Sequence, residues 1–187
     1  MRTLIVYVTR YGATAGTSKE IANVLSGEGF SVKVVNAKEE KVDGVSDFEL
    51  VIVGGGLQMG RWTSETEDFL KRYQSELAQK KVAVFVSSAM KPLLEREGKI
   101  EELEKNRKAF LEDKPAKYGL KPIAVGLFGG VIDYNKMGLF ARKAFGSMKT
   151  RFEAAGFKET KPGIYDTRDL DEIRDWTRKL VLKARYL

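Results

Sequence analysis

Five short apolar segments alternate along the chain with segments of helical periodicity. Apolar, β-branched and aromatic residues predict strands at residues 4–8, 31–35, 48–53, 81–86 and 123–128. Apolar residues at three- and four-residue spacing predict helices at residues 21–25, 69–77, 93–112, 137–152 and 170–181. Strands that alternate with helices in this way favour a parallel sheet with right-handed crossovers. The polar segment 36–47 carries no helical stripe and predicts a loop.

The first predicted strand ends in a turn rich in hydroxyls and glycines, residues 9–17, and a helix follows it. Backbone N–H groups at the start of a helix are unpaired, and together with the helix dipole they favour an anion. Thr9, Thr14 and Thr17 add hydroxyl donors, and Gly12 and Gly16 allow the backbone to approach a ligand closely. Neither G-x-x-x-x-G-K-[ST] nor G-x-G-x-x-G is present, so the turn predicts a site for a single phosphate.

The segment Thr9-Arg10-Tyr11-Gly12-Ala13-Thr14 resembles the phosphate loop of flavodoxins, Thr/Ser-x-Thr-Gly-x-Thr, which implies binding of the FMN 5′-phosphate. Tyr11 replaces the third hydroxyl of that loop. The departure is similar to a flavodoxin-like branch that includes the menaquinone-dependent protoporphyrinogen oxidases, in which Thr-Arg-x-Gly-x-Thr occurs. The alternative is an ordinary strand-to-helix turn made of small residues. The resemblance implies an α/β, flavodoxin-like three-layer sandwich with a five-stranded parallel sheet of order 2-1-3-4-5.

In that strand order, ligands bind where the order reverses, between strands 1 and 3 at their carboxyl ends. A second glycine-rich segment, Gly54–Trp62, follows strand 3, and the resemblance implies a third ligand loop after strand 4. The predicted cofactor-binding residues are Thr9, Arg10, Tyr11, Gly12, Ala13, Thr14, Gly55, Gly56, Leu57, Gln58, Met59, Gly60, Arg61, Trp62, Ser87, Ser88, Ala89 and Met90.

Two aromatic residues in these segments can offer flat surfaces to the isoalloxazine ring of FMN. They are Tyr11 and Trp62. A purely structural role is the alternative for each residue. Tyr11 can cover its own loop, and Trp62 can pack on the helix that follows it.

The amino-acid composition excludes several kinds of catalytic and metal site. The length of 187 residues predicts a single domain, residues 1–187. The absence of cysteine excludes disulfides, cysteine-ligated iron–sulfur clusters and a cysteine nucleophile, and the absence of histidine excludes the usual zinc sites and Ser-His-Asp catalysis. Neither a signal peptide nor a membrane-length apolar run is visible, so we expect a cytoplasmic protein. The net charge of +7 favours anionic partners in general.

Two predicted helices raise the question of partners. The charged segment 93–112 is typical of a solvated amphipathic helix, so no nucleic-acid partner is expected. The segment 137–152 has a wide stripe of Met and Phe. Packing on the sheet is the favoured interpretation, and a homodimer face or a peripheral membrane contact is the alternative.

Two classes of redox function fit an FMN site. In the first, the protein transfers electrons to a redox partner protein and has no organic substrate. In the second, it is an FMN-dependent oxidoreductase that acts on a quinone-type acceptor or on protoporphyrinogen. In both, the cofactor supplies the redox chemistry, and no residue of the chain has to act as a catalytic acid or base. A third, less favoured hypothesis is a non-redox scaffold with the same fold.

Overall fold

The computed structural model describes residues 1–58, 60–138, 142–143 and 146–186. The strands of its main sheet are β1 Arg2–Tyr7, β2 Ser31–Asn36, β3 Leu50–Gln58, β4 Arg61–Trp62, β5 Lys81–Ser87 and β6 Ala124–Phe128. Five of them are parallel, in the order β2-β1-β3-β5-β6. The two-residue strand β4 pairs antiparallel with the end of β3. With β4 set aside, the order is the predicted 2-1-3-4-5, and β2 lies at the edge.

Helices cover both faces of this sheet, which confirms the three-layer sandwich. The described helices are α1 Ala13–Gly27, α2 Ser64–Arg72, α3 Gln74–Leu77, α4 Met90–Arg96, α5 Ile100–Lys108, α6 Lys114–Lys117, α7 Gly146–Ala154 and α8 Leu170–Tyr186. Strand side chains alternate between the faces. In β1, Val6 packs with α2 residues such as Leu70, whereas Ile5 packs with Ile21 of α1 and Leu180 of α8.

Two predicted helices are divided in the structure. The prediction of one helix over 93–112 is wrong, because α4 ends before Gly98, which has a φ of +67°. The chain then forms α5, a π-helical turn at Ala109–Asp113, and α6. The predicted helix 69–77 is also divided, at Tyr73 between α2 and α3.

A small second sheet is formed by residues that lie between β6 and α8 in the sequence. Its two strands, β7 Val131–Asp133 and β8 Ile164–Asp166, pair antiparallel. They form a separate apolar cluster with Phe152 of α7, which is fully buried. The described part of the predicted helix 137–152 therefore packs on this pair of strands and not on the main sheet. Residues 139–141 and 144–145 lie outside the described residues.

The last helix begins at a side-chain cap. Asp169 Oδ1 accepts hydrogen bonds from the backbone N–H groups of Asp171, at 2.9 Å, and Glu172, at 3.1 Å. The carboxylate of Glu172 turns away to Lys91, 2.8 Å from its Nζ. Within the residues that the structure describes, no helix is both long and apolar enough to cross a membrane.

Candidate functional site

The turn between β1 and α1 presents an uncapped helix N-terminus. Gly12 is the N-cap residue and has a φ of +89°, a conformation that side chains disfavour. Its N–H donates to Thr9 Oγ1 at 3.0 Å. The first turn of α1 contains no acidic residue, and no side chain of the described residues caps it. The N–H groups of this turn that follow Gly12 therefore have no side-chain acceptor in the described part of the chain, an arrangement that suits an anion such as a phosphate.

The threonines of this turn take different positions. Thr14 is buried, with 3% of its surface exposed. It lies over β3, since a Cβ built on Gly54 would be 3.0 Å from Thr14 Cγ2. Thr17 Oγ1 lies 3.4 Å from Ser87 Oγ at the end of β5. Thr14 thus lies between the start of α1 and β3, whereas Thr17 links α1 to the third predicted segment.

The role expected of Gly16 differs from the one that the structure gives it. A Cβ on Gly16 would lie 1.8 Å from Nη1 of Arg168, so this position accommodates an arginine side chain. A Cβ on Gly12 would have no other atom within 4 Å, and this position stays open. Nothing near residue 168 in the sequence indicated such a contact.

The second predicted segment is a hairpin and not a loop. β3 continues through Gly54, Gly55 and Gly56, and the chain turns at Gly60, which has a φ of +71°. It returns as β4, where Leu57 pairs with Trp62 and Gln58 with Arg61. The prediction of a loop over Gly54–Trp62 is therefore wrong. Met59 lies outside the described residues.

The two aromatic candidates are partly used in packing. Trp62 is 5% exposed, and its ring atoms would lie 3.0 to 3.2 Å from a Cβ on Gly55. The indole Nε1 of Trp62 is buried and has no partner among the described residues, so it is a donor available to an acceptor atom. Tyr11 packs against the apolar cluster that contains Ile132 of β7, Tyr165 of β8 and Phe152 of α7. The Arg10 Cζ lies 5.3 Å from the centre of the Tyr11 ring.

The third predicted segment, Ser87–Met90, leads from β5 into α4. The N–H of Ser88 donates to the Phe128 carbonyl at 2.8 Å. A Cβ on Gly130 would lie 2.5 Å from the nitrogen of Ala89, so the end of β6 presses against this segment. Through the contacts of Thr14 with Gly54 and of Thr17 with Ser87, all three predicted segments meet at the carboxyl ends of β1, β3 and β5.

An open groove of about 500 Å³ lies beside the β3–β4 hairpin. It is lined by Gly60, Arg61, Trp62, Ser64, Glu67, Ala109, Phe110 and Lys114. Lys114 pairs with Glu67, and this hydrogen bond is the main reason that the pKa of Glu67 is lowered. Burial and then the hydrogen bond to Glu67 raise the pKa of Tyr118 to about 12. The groove therefore combines aromatic surface with a fixed ion pair.

Solved structures share this fold. A flavodoxin from the domain Archaea has a TM-score of 0.55 and 17% identity, with 100% of both chains covered. The Megasphaera elsdenii flavodoxin has a TM-score of 0.50 and 22% identity, with 82% of this chain and 97% of that chain covered. Rubredoxin oxygen:oxidoreductase from Desulfovibrio gigas has a TM-score of 0.51 and 15% identity over 97% of this chain but 36% of its own. No curated protein matches the sequence significantly.

The sequence itself carries the family relationship. A family model described as the flavodoxin domain matches residues 4–157, which is most of the chain. The matched region contains the turn at the start of α1, the β3–β4 hairpin and the Ser87–Met90 segment. The chain therefore belongs to the flavodoxin domain family, and its cofactor is FMN.

Proposed function

We propose that the protein is an electron carrier that holds the FMN phosphate in the turn Thr9–Thr14 and the flavin ring between the β3–β4 hairpin and Ser87–Met90. The observation that carries this proposal is the meeting of these three segments at the carboxyl edge of the sheet. They flank the point where the strand order reverses, which is where open α/β sheets bind ligands.

The residues present suit the two ends of the cofactor. The uncapped N-terminus of α1 and the hydroxyl of Thr14 supply donors for a phosphate. The Nε1 of Trp62 is buried and has no partner in the described part of the chain, so it supplies a donor near the proposed ring position. When bound, FMN supplies the redox chemistry, and the chain binds it, orients it and tunes its surroundings.

Release and rebinding of the cofactor test this proposal. We expect denaturation of the purified protein to release FMN, which chromatography separates from FAD and riboflavin. The apo-protein should quench the fluorescence of added FMN and bind it more tightly than riboflavin. Recovery of FAD alone, or equal affinities for FMN and riboflavin, would contradict the phosphate assignment. A protein that binds no flavin would instead support the non-redox scaffold.

The electron partner is proposed to be a protein of acidic surface. The net charge of +7 favours such a partner and steers its approach at low ionic strength. Reduced protein should therefore pass electrons faster to an acidic acceptor such as rubredoxin than to a basic one such as cytochrome c. The difference should shrink as salt is added, and an unchanged preference in high salt would contradict the electrostatic basis.

The groove beside Trp62 supports a second candidate, an oxidoreductase acting on a quinone-type acceptor. Phe110 and Trp62 provide apolar walls next to the proposed ring position, and the groove is large enough for a small aromatic molecule. Protoporphyrinogen oxidation belongs with this candidate, through the resemblance of the Thr9–Thr14 turn. Turnover with a soluble naphthoquinone that saturates, and that Phe110→Ala slows, would favour this second candidate over the carrier.

Three further expectations stay predictions. They are a cytoplasmic location, a homodimer and a peripheral membrane contact. The last two depend on the Met- and Phe-rich segment 137–152, part of which lies outside the described residues. Sedimentation of the holoprotein, alone and with vesicles that contain anionic lipid, measures both.

A further inference from the structure

A guanidinium from the far end of the chain lies against the first turn of α1. A Cβ on Gly16 would be 1.8 Å from Arg168 Nη1 and 3.1 Å from its Cζ. Gly16 donates its N–H to the carbonyl of Gly12 at 3.0 Å, which is the first hydrogen bond of the helix. Gly12 and Gly16 are four residues apart and share a helix face. Arg168 therefore lies against α1 one turn after its N-terminus, on the face of the helix that begins at Gly12.

The backbone around Arg168 is fixed to the end of β6. Thr167 donates its N–H to the Gly130 carbonyl at 2.9 Å, and its Oγ1 accepts from the Gly130 N–H at 3.1 Å. A Cβ on Gly129 would lie 2.0 Å from the carbonyl oxygen of Thr167. Because Gly130 also presses on Ala89, the position of Arg168 is tied to the third cofactor segment as well as to α1.

Asp166 holds one side of the guanidinium and leaves the other side available. Arg168 Nε donates to Asp166 Oδ1 at 2.9 Å, and Nη2 donates to Oδ2 at 2.6 Å. Burial acts to raise the pKa of Asp166, but the hydrogen bonds from Arg168 outweigh it and the net shift is downward. Within the described residues, Nη1 donates to no acceptor, and Nη1 is the nitrogen that faces α1.

This arrangement is electrostatically incomplete. The N-terminal end of a helix carries partial positive charge, and a cation beside it is unfavourable. The first turn of α1 contains no acidic residue, and the side chain of Arg168 is only 21% exposed. Asp166 balances the charge of Arg168 but not the free N–H groups of α1. A phosphate at the N-terminus of α1 would complement both the helix and the unpaired Nη1.

We propose that Arg168 binds the 5′-phosphate of FMN through Nη1, with Asp166 as the residue that positions it. This inference rests on the proposed phosphate site in the Thr9–Thr14 turn. It assigns a phosphate-binding role to a residue outside the three predicted segments. That residue follows the strand pair β7–β8, which helps to place it at α1. The same role of Arg168 also explains Gly16, since a side chain there would displace the guanidinium from the helix.

The chain offers a matched control. Arg174 of α8 also contacts α1, through Nε at 2.5 Å from Glu20 Oε1, one turn further from the N-terminus. Both arginines therefore join the C-terminal part of the chain to α1, and both are paired with a carboxylate. Arg174 does not face the proposed phosphate position. A loss that arises only from weakened packing between α1 and α8 should appear in Arg174→Gln as well.

The test compares FMN and riboflavin affinities of the apo-protein, measured by fluorescence quenching. We expect Arg168→Gln to weaken FMN binding by about tenfold to a hundredfold, the range for a hydrogen bond to a charged group, and to leave riboflavin binding unchanged. Arg168→Lys should retain part of the preference for FMN, and Arg174→Gln should retain all of it. The salt dependence of FMN binding should also weaken in Arg168→Gln.

Gly16→Ala provides a second test should Arg168→Gln not fold. Its new Cβ displaces Nη1, so we expect a smaller loss in the same direction, for FMN only. Equal losses for FMN and riboflavin, or none for either, would overturn the role of Arg168. A Thr14→Ala variant distinguishes failure of the Arg168 inference from failure of the proposed phosphate site. If Thr14→Ala lowers FMN affinity selectively and Arg168→Gln does not, only this inference fails, whereas a wild type without preference for FMN overturns both.

Discussion

Gly56 lies directly beside the backbone of Val8. A Cβ built on Gly56 would be 2.5 Å from the Val8 carbonyl oxygen, a distance that real Cβ atoms do not reach. Gly56 lies within β3 and Val8 directly follows β1, and Val8 donates its N–H to the Gly54 carbonyl at 3.4 Å. Glycine at position 56 therefore allows the first two cofactor segments to approach each other.

Substitution of this glycine should destabilise the fold more than substitution of its neighbour. We expect Gly56→Ala to lower the free energy of unfolding by about 1–3 kcal/mol, because the atom it meets is backbone and cannot rotate away. Gly55→Ala should cost less, since its Cβ would lie 3.0 Å from the Trp62 side chain. Urea denaturation measures both. Gly44→Ala, with no atom within 4 Å of its Cβ, is the control, and equal losses in all three would contradict the argument.

The same glycines show where sequence reasoning stopped. The five parallel strands follow from local apolar patterns and their order from the resemblance to flavodoxins, and the structure confirms both. The Gly54–Gly56 stretch resembles a loop by composition, yet it is strand and pairs with β5. It consists of glycines because Phe85, Trp62 and Val8 occupy the space that side chains would need. Those contacts come from residues distant in sequence, and no local pattern contains them.

Arg168 is a second case. The turn Thr9–Thr14 could be predicted as a phosphate site because its hydroxyls, glycine and position after a strand are all local features. Arg168 is more than 150 residues from Gly16, and neither its neighbours nor its spacing distinguishes it from other charged residues on the surface. The pairing of β7 with β8 and the hydrogen bonds between Thr167 and Gly130 place it at α1, and both join residues distant in sequence.

Substitution of Thr14 should lower the affinity for FMN, whereas substitution of Gly12 should lower the stability of the fold. Thr14→Ala removes a hydroxyl donor, and we expect FMN affinity to fall by about tenfold or more while riboflavin affinity is retained. Gly12→Ala adds a side chain where space is open but φ is +89°, so its cost is backbone strain of about 1–2 kcal/mol. Fluorescence titrations measure the first effect and urea denaturation the second. A Thr14→Ala variant that loses riboflavin and FMN equally would exclude Thr14 as a phosphate donor.

Glu97 and Arg151 join the end of α4 to α7, and this pair should respond to acid. Arg151 donates to both carboxylate oxygens, at 2.9 and 2.6 Å. Hydrogen bonds from Arg151 and then Lys99 lower the pKa of Glu97 from 4.5 to about 2. Because the folded-state pKa is lowered, the stabilising contribution is present above pH 4.5 and is lost as the pH falls towards 2.

Unfolding midpoints measured in urea across this pH range check the prediction. We expect the midpoint of Glu97→Gln to lie below that of the wild type at neutral pH, and the two curves to converge in acid. The carboxylate is near the surface, so the effect should be modest and should shrink in high salt. Two curves that stay parallel down to pH 2 would show that the pair does not stabilise the fold.

Tyr118 should have a raised pKa, and its hydrogen bond to Glu67 should be one of the causes. Burial and the hydrogen bond to Glu67 raise the pKa of Tyr118 from 10.0 to about 12. The unfolded state therefore ionises first, and stability due to this group is lost between pH 10 and about 12. Ultraviolet absorbance of the phenolate measures the titration. Glu67→Gln should move the Tyr118 pKa part of the way back, and an unchanged titration would leave burial as the only cause.

Two arginines of the cofactor segments should influence the midpoint potential of the bound flavin only slightly. Arg10 and Arg61 are both exposed. Charges at exposed positions interact by about 0–1 kcal/mol, which is at most roughly 40 mV for one electron. Positive charge favours the reduced cofactor, which carries more negative charge, so Arg61→Glu and Arg10→Glu should each lower the potential within that range.

Redox titration of the holoprotein tests this expectation at two salt concentrations. Arg185→Glu is the control, because Arg185 bonds to the Glu28 carbonyl at the opposite end of α1 and should not affect the potential. The shifts in Arg61→Glu and Arg10→Glu should decrease in high salt, since exposed charges are screened. A shift far above 40 mV would place that arginine in direct contact with the flavin. If neither variant shifts the midpoint potential, the positive charge of these arginines does not make reduction easier. The potential would then be set by the buried surroundings of Trp62 and Gly55.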